Sequence, residues 1–143
     1  MRYFLDGTPS GYGVYEINDN KVTWKYKSVG YPANYQFRGY PVGSSEDNPQ
    51  DIIANVWNWD EQWKVEWYEN GKRMGEMHYT SGAFEGYDPE AKIICSDKER
   101  VVYDWIMPIK TEHLFKVTPQ NRNAAIEIVV TDRFGNVYKQ NIK

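Results

Sequence analysis

Side chains able to do chemistry are few in this chain and poorly spaced for it. His78 and His113 are the two histidines. No His-x-His, Asp-x-His or His-Glu-x-x-His surrounds either, so no metal pair is written locally. Each reads as a polar strand or loop residue. Asp60, Glu61, Glu66 and Glu69 gather in one region, and two carboxylates about 5 to 10 Å apart suffice for glycoside hydrolysis. Glu66, however, alternates with Val65 and Trp67 and so faces solvent, and Asp60 falls in a turn, where Asp serves local hydrogen bonds. No Gly-x-Ser-x-Gly elbow is present. Gly7, Gly11 and Gly13 precede no Gly-Lys-[Ser/Thr] and no helix, so they are not a phosphate loop. Cys95, the lone cysteine, sits in the apolar run Ile93-Ile94-Cys95 and reads as a small buried hydrophobe rather than a nucleophile. One thiol supports neither an intrachain disulfide nor a Cys-based zinc site.

The tryptophans carry more information. Of six, four lie in the stretch Ile53 to Lys72: Trp57, Trp59, Trp63 and Trp67. Such a density means core packing, a platform for a ligand, or a face for another domain. Flat aromatic rings stack on sugars and supply large contact area. Period 2 puts Trp57 and Trp59 on one face of a strand, and Trp63, Val65 and Trp67 on one face of the next, as a sandwich core also demands. Trp57 and Trp67 read as core. For Trp59 and Trp63, which flank the turn, core, docking and ligand contact stay open. The candidate surface is therefore Trp57, Asn58, Trp59, Asp60 and Trp63, with Asn58 and Asp60 as polar neighbours for hydroxyls.

The elements that must position these residues are strands. Tyr12–Ile17 and Lys21–Lys27 form a hairpin across Asn18-Asp19-Asn20, with Val22, Trp24 and Tyr26 on one face. Tyr35–Tyr40, Ile52–Trp59 and Trp63–Tyr68 follow. Asn70-Gly71 is a strong hairpin signal, with Arg73–Tyr79 as the return strand. Thr80–Gly86 is loose. Asp88-Pro89 begins one helical turn over 88–92, Asp as cap and Pro at the first helical position. Val101–Trp105, Leu114–Val117, Ile126–Asp132 and Asn136–Ile142 complete the set, the last two joined by the turn Arg133-Phe134-Gly135-Asn136. Strands at short regular spacing predict an all-β antiparallel sandwich, immunoglobulin-like. The 143 residues suit one domain over 1–143, with 1–40 as an arm or hairpin packed on it. Seventeen basic and 20 acidic residues, net charge −3, argue against a nucleic-acid partner. No stretch has the ~18 apolar residues of a membrane span, and no signal peptide opens the chain.

The wording Asp6-Gly7-Thr8-Pro9-Ser10-Gly11-Tyr12, Tyr26-Lys27-Ser28-Val29-Gly30, Tyr35-Gln36-Phe37-Arg38, Ile53 to Asp60, Trp63 to Lys72, Tyr87-Asp88-Pro89, His113-Leu114-Phe115 and Val130 to Asn136 occurs in order along essentially the whole chain. It resembles the C-terminal domain of calcineurin-like metallophosphoesterases of Bacteroides-type bacteria. The Trp-rich block and Thr131-Asp132-Arg133-Phe134-Gly135-Asn136 are its most specific parts.

The resemblance implies an N-terminal β domain, a central catalytic domain and then this unit, a β-sandwich. It places two divalent cations in the catalytic domain of the parent. Their ligand motifs (Asp-x-His, Gly-Asp, Gly-Asn-His-[Asp/Glu], Gly-His-x-His) do not occur here, so no catalytic, cofactor or metal residue carries over. Met1 then reads as a truncated start. The implied partner is the parent's own catalytic domain, and the implied location is the periplasm or cell surface. An exposed apolar patch is expected, with Trp59 or Trp63 as anchor. A glycan-binding module is the other reading, and it requires two tryptophans side by side on an exposed face.

Overall fold

The computed structural model describes residues 3–80 and 86–142. Twelve strands and one helix follow in chain order: β1 (Gly11–Asn18), β2 (Lys21–Ser28), β3 (Arg38–Tyr40), β4 (Ile52–Asn55), β5 (Lys64–Glu69), β6 (Lys72–Glu76), β7 (His78–Thr80), β8 (Gly86–Tyr87), α1 (Pro89–Ser96), β9 (Lys110–Thr111), β10 (Leu114–Val117), β11 (Ile126–Thr131) and β12 (Val137–Ile142). Two antiparallel four-stranded sheets, ordered β3-β4-β10-β7 and β12-β11-β5-β6, make the sandwich. The hairpin β1-β2 and the short pair β8-β9 are separate two-stranded sheets.

Alternation along each strand decides what lies between the sheets. Ile52, Ala54, Val56 and Phe115 come from the first sheet, and Val65, Trp67, Ile126, Ile128 and Val130 from the second. Register places Val65 opposite Val130 and Trp67 opposite Ile128. The four residues of β4 are all buried. Ile53 packs with Tyr40 and Leu114 in a smaller cluster apart from the main core. The first sheet is thus covered on both faces.

The two edges of the sandwich are tied. At one, the Gln140 side chain accepts from the Gly39 N–H at 2.8 Å and donates to the Phe37 carbonyl at 2.5 Å, joining β12 to the start of β3. At the other, β6 and β7 are two parts of one extended run. Gly75 at φ +124° and a bulge between Trp67 and Tyr68 turn the chain out of one sheet. Met77 is buried between, and β7 then joins the other sheet beside β10. The single return strand expected over 73–79 is therefore divided between two sheets.

Other expectations are met or revised by local physics. Asn70 and Gly71 both have positive φ, 51° and 80°, the geometry of a type I′ hairpin. Asp88 caps α1, accepting from the Ala91 N–H at 2.9 Å, with Pro89 in the first turn. The helix runs to Ser96, longer than one turn, because Ile93-Ile94-Cys95 continues it and Cys95 is buried beneath it. Ile52–Trp59 is a strand only to Asn55. Val101–Trp105 is not a strand. Most of the loose stretch expected over 80–86 falls at 81–85, outside the described residues. The β1-β2 arm matches its expected bounds closely. It leans on the C-terminal hairpin turn: Trp24 meets Phe134 edge-on at 4.9 Å, and the Arg133 guanidinium lies 4.9 Å over the Trp24 ring. That turn is held by Asp132, whose carboxylate accepts from the Phe134 N–H, the Asn136 N–H and side-chain amide, and the Tyr138 hydroxyl, at 2.9 to 3.0 Å.

Candidate docking surface

The tryptophan block does not form an exposed platform. Trp63 is buried in the core at 8% exposure, because period 2 aligns it with Val65 and Trp67, which point between the sheets. It cannot anchor a partner. Trp59 is half-buried, packed on the core with its ring 5.5 Å from Phe115. Trp57 is half-buried beside Tyr35 at 4.9 Å, and its Nε1 is enclosed without a hydrogen-bond partner among the described residues. Asp60 builds the turn: it accepts from the Gln62 N–H at 2.8 Å and lies 2.7 Å from Arg133 Nε. It ties the tryptophan turn to the C-terminal hairpin. Asn58 is half-buried between them in sequence. The paired exposed rings that a glycan module needs are absent from this block. Glu66, on the outer face as its alternation predicts, pairs with Arg73.

The wording Asp6-Gly7-Thr8-Pro9 marks a buried polar junction instead of a site. Asp88 is fully buried and accepts from the Tyr40 hydroxyl and the Asn55 side-chain amide, both at 2.8 Å, besides capping α1. Asn55 also donates to the Asp6 carbonyl at 3.0 Å. His113 Nδ1 meets Asn55 Oδ1 at 2.7 Å and its Nε2 meets Asp6 Oδ2 at 3.3 Å. Both ring nitrogens are engaged by protein groups, so His113 is built into the junction. Gly7, at φ +82°, passes so close to Asp88 that a Cβ would run into the carboxylate. Sequence reasoning placed Asp6, Asp88 and His113 in separate motifs; the fold joins them to fasten the N-terminal segment and the helix onto the outer face of the first sheet.

Burial pushes the Asp6 carboxyl up, but hydrogen bonds from His113 and Thr8 outweigh it and hold the group below its ordinary range. A lowered folded pKa contributes stability above the unfolded value, about 3.9, and that contribution is lost as pH falls through the folded value. Asp6→Asn should therefore unfold at lower urea than wild type at about pH 7. The two midpoints should draw together in strong acid, as the wild-type carboxyl takes up its proton. An equal gap at both pH values would remove Asp6 ionisation from the account.

The apolar surface lies elsewhere. Residues 101–109, Val-Val-Tyr-Asp-Trp-Ile-Met-Pro-Ile, have no strand partner, and only Val101 is buried. Val102 is 79% exposed, Trp105 76% and Tyr103 60%, with Met107 and Ile109 exposed as well. The Tyr103 and Trp105 rings stack at 5.7 Å and 29°. The expected apolar patch thus exists, with Trp105 as its largest member in place of Trp59 or Trp63. A second set of exposed apolar side chains, Tyr12, Tyr15, Ile17 and Val22, lies on the arm. Among the described residues no group of three or more His, Cys, Asp or Glu could hold a metal ion, and no helix is long and apolar enough to cross a membrane. Burial pushes the Cys95 thiol above its ordinary range, away from the reactive thiolate.

An all-β sandwich with a helix pinned by a buried aspartate, a Trp-rich connection between β4 and β5 and an apolar exposed strip is the class these features define. The chain belongs to the family described as C terminal of calcineurin-like phosphoesterase, which matches residues 1–138. No curated protein and no solved structure matches it.

Proposed function

We propose that this chain is a non-catalytic accessory domain of a calcineurin-like, metal-dependent phosphoesterase, packing on and supporting the catalytic domain of its parent polypeptide. The family match over 1–138 carries the reading. On this reading residues 1–143 act as one unit, with the β1-β2 hairpin as its arm. Two divalent cations would belong to the parent's catalytic domain, where they would supply the Lewis-acid chemistry of phosphoester hydrolysis. This chain's own polar groups do structural work: both nitrogens of His113 are engaged, and Asp88 and Asp132 are saturated by protein donors. A periplasmic or cell-surface location belongs to the same proposal and rests on the resemblance alone.

The test is turnover of bis(p-nitrophenyl) phosphate with Mn²⁺ or Zn²⁺ added. The purified chain should release no nitrophenolate above buffer, while the intact phosphoesterase polypeptide turns over. Metal-dependent turnover by the chain alone, at ordinary enzyme rates, would remove the accessory reading.

A further inference from the structure

We infer that the strip 102–109, together with Phe4, is the face on which the phosphoesterase domain sits. This rests on the accessory reading above and names the surface it uses. Val102 to Ile109 carries one charge, Asp104, and that carboxylate already holds Lys98 at 2.9 Å. The remainder offers water Val102, Tyr103, Trp105, Met107 and Ile109. Contiguous exposed apolar side chains on a soluble fold mark an interaction site, and Trp and Tyr are the side chains most often central to one.

The strip is held in place rather than loose. At its start the Val101 N–H donates to the Asp97 carbonyl at 2.8 Å, in the middle the Ile106 N–H donates to the Tyr103 carbonyl at 3.1 Å, and at its end the Ile109 N–H donates to the Leu5 carbonyl at 3.0 Å. The stacked Tyr103 and Trp105 rings therefore form a plate that needs little ordering when a partner arrives.

The position of the strip selects the occupant. The family is described as C terminal of calcineurin-like phosphoesterase; on the accessory reading the phosphoesterase domain precedes this unit and joins it through the N-terminal segment. Leu5 of that segment lies against Ile109, and exposed Phe4 is its neighbour. The upstream domain is thus tethered beside the strip, at an effective concentration on the order of millimolar, where a modest apolar contact suffices. The arm fits the role less well, because its exposed Tyr15, Ile17 and Val22 lie toward the hairpin tip, away from the end at which the N-terminal segment enters.

Hydroxyl-radical footprinting of the intact polypeptide and of this chain alone tests the assignment. Trp105 and Met107 should oxidise about tenfold more slowly in the intact polypeptide, with Tyr12 unchanged, as expected of side chains at the dry centre of an interface. Equal rates at every position would overturn both this face and the packing reading. Protection of other residues with Trp105 and Met107 still reactive would overturn the face and leave packing intact. Protection in the isolated chain that disappears on dilution would assign the strip to a second copy, and also overturn it. Trp105→Arg with Met107→Asp in the intact polypeptide should return Tyr103 to its isolated-chain rate; a Tyr103 that stays protected would count against the strip.

Discussion

Asp88→Ala is expected to lower the unfolding free energy by about 4 kcal/mol, a large part of the roughly 5–15 kcal/mol that holds a domain of this kind. One carboxylate serves three donors: the Tyr40 hydroxyl, the Asn55 amide and the Ala91 N–H. Losing a helix cap costs about 1 kcal/mol. Leaving each of two buried donors unpaired costs about 1–3 kcal/mol more. Asp88→Asn keeps the volume and one acceptor oxygen, and should lose roughly half as much. Urea midpoints for the three proteins decide it. A loss below about 1 kcal/mol for the alanine variant would mean that water replaces the carboxylate, contrary to a site at 0% exposure.

Gly7→Ala should cost about 3 kcal/mol, and roughly half of that should depend on Asp88. Two effects act together. A left-handed backbone disfavours an L side chain by about 1–2 kcal/mol. The new methyl also meets the Asp88 carboxylate and drives it off its three donors. The double-mutant cycle separates them: in an Asp88→Ala background, Gly7→Ala should cost only the backbone part, about 1–2 kcal/mol. The same penalty in both backgrounds would show that the clash contributes nothing.

These two positions explain which parts of the structure could be read from the residues. Local signals succeeded because their physics is local. Asn70-Gly71 demands positive φ at both residues, Asp88-Pro89 demands a helix start, and alternation in Lys21–Lys27 and Ile126–Thr131 demands a strand. The Asp6, Asn55, Asp88 and His113 junction draws on positions scattered over the chain, so no spacing rule exposes it. Its one trace is the Asp-Gly-Thr-Pro wording, whose glycine is required by a residue far along the sequence. Arg73–Tyr79 looks like one strand since extended backbone continues through it; only the bulge and Gly75 place its halves in different sheets.

The exposed apolar strip was illegible in the sequence for a related reason. Val101–Trp105 reads as a strand because β-branched and aromatic residues favour pleated, half-buried surfaces. The same residues suit a surface awaiting a partner, and composition does not separate a strand from such a strip. The tryptophan block drew attention by density, yet period 2 already aligned Trp63 with Val65 and Trp67, and the core absorbed it. Trp57 and Trp59 ended half-buried because β4 stops at Asn55 and the chain turns there.

The Gln140 clamp on Gly39 and Phe37 has a consequence for how the molecule is made. Synthesis proceeds from the N-terminus, at about 5–20 residues per second, and parts fold as they emerge. β3 is complete early, but the side chain that fastens its edge to the second sheet is added about a hundred positions later. β4 and β5 likewise wait for β10 and β11. A nascent chain stalled before residue 140 would lack both the glutamine and most of the strand that carries it, leaving that edge of the second sheet open. The last few residues act as the latch, and folding of this unit completes only after nearly all of it has left the ribosome.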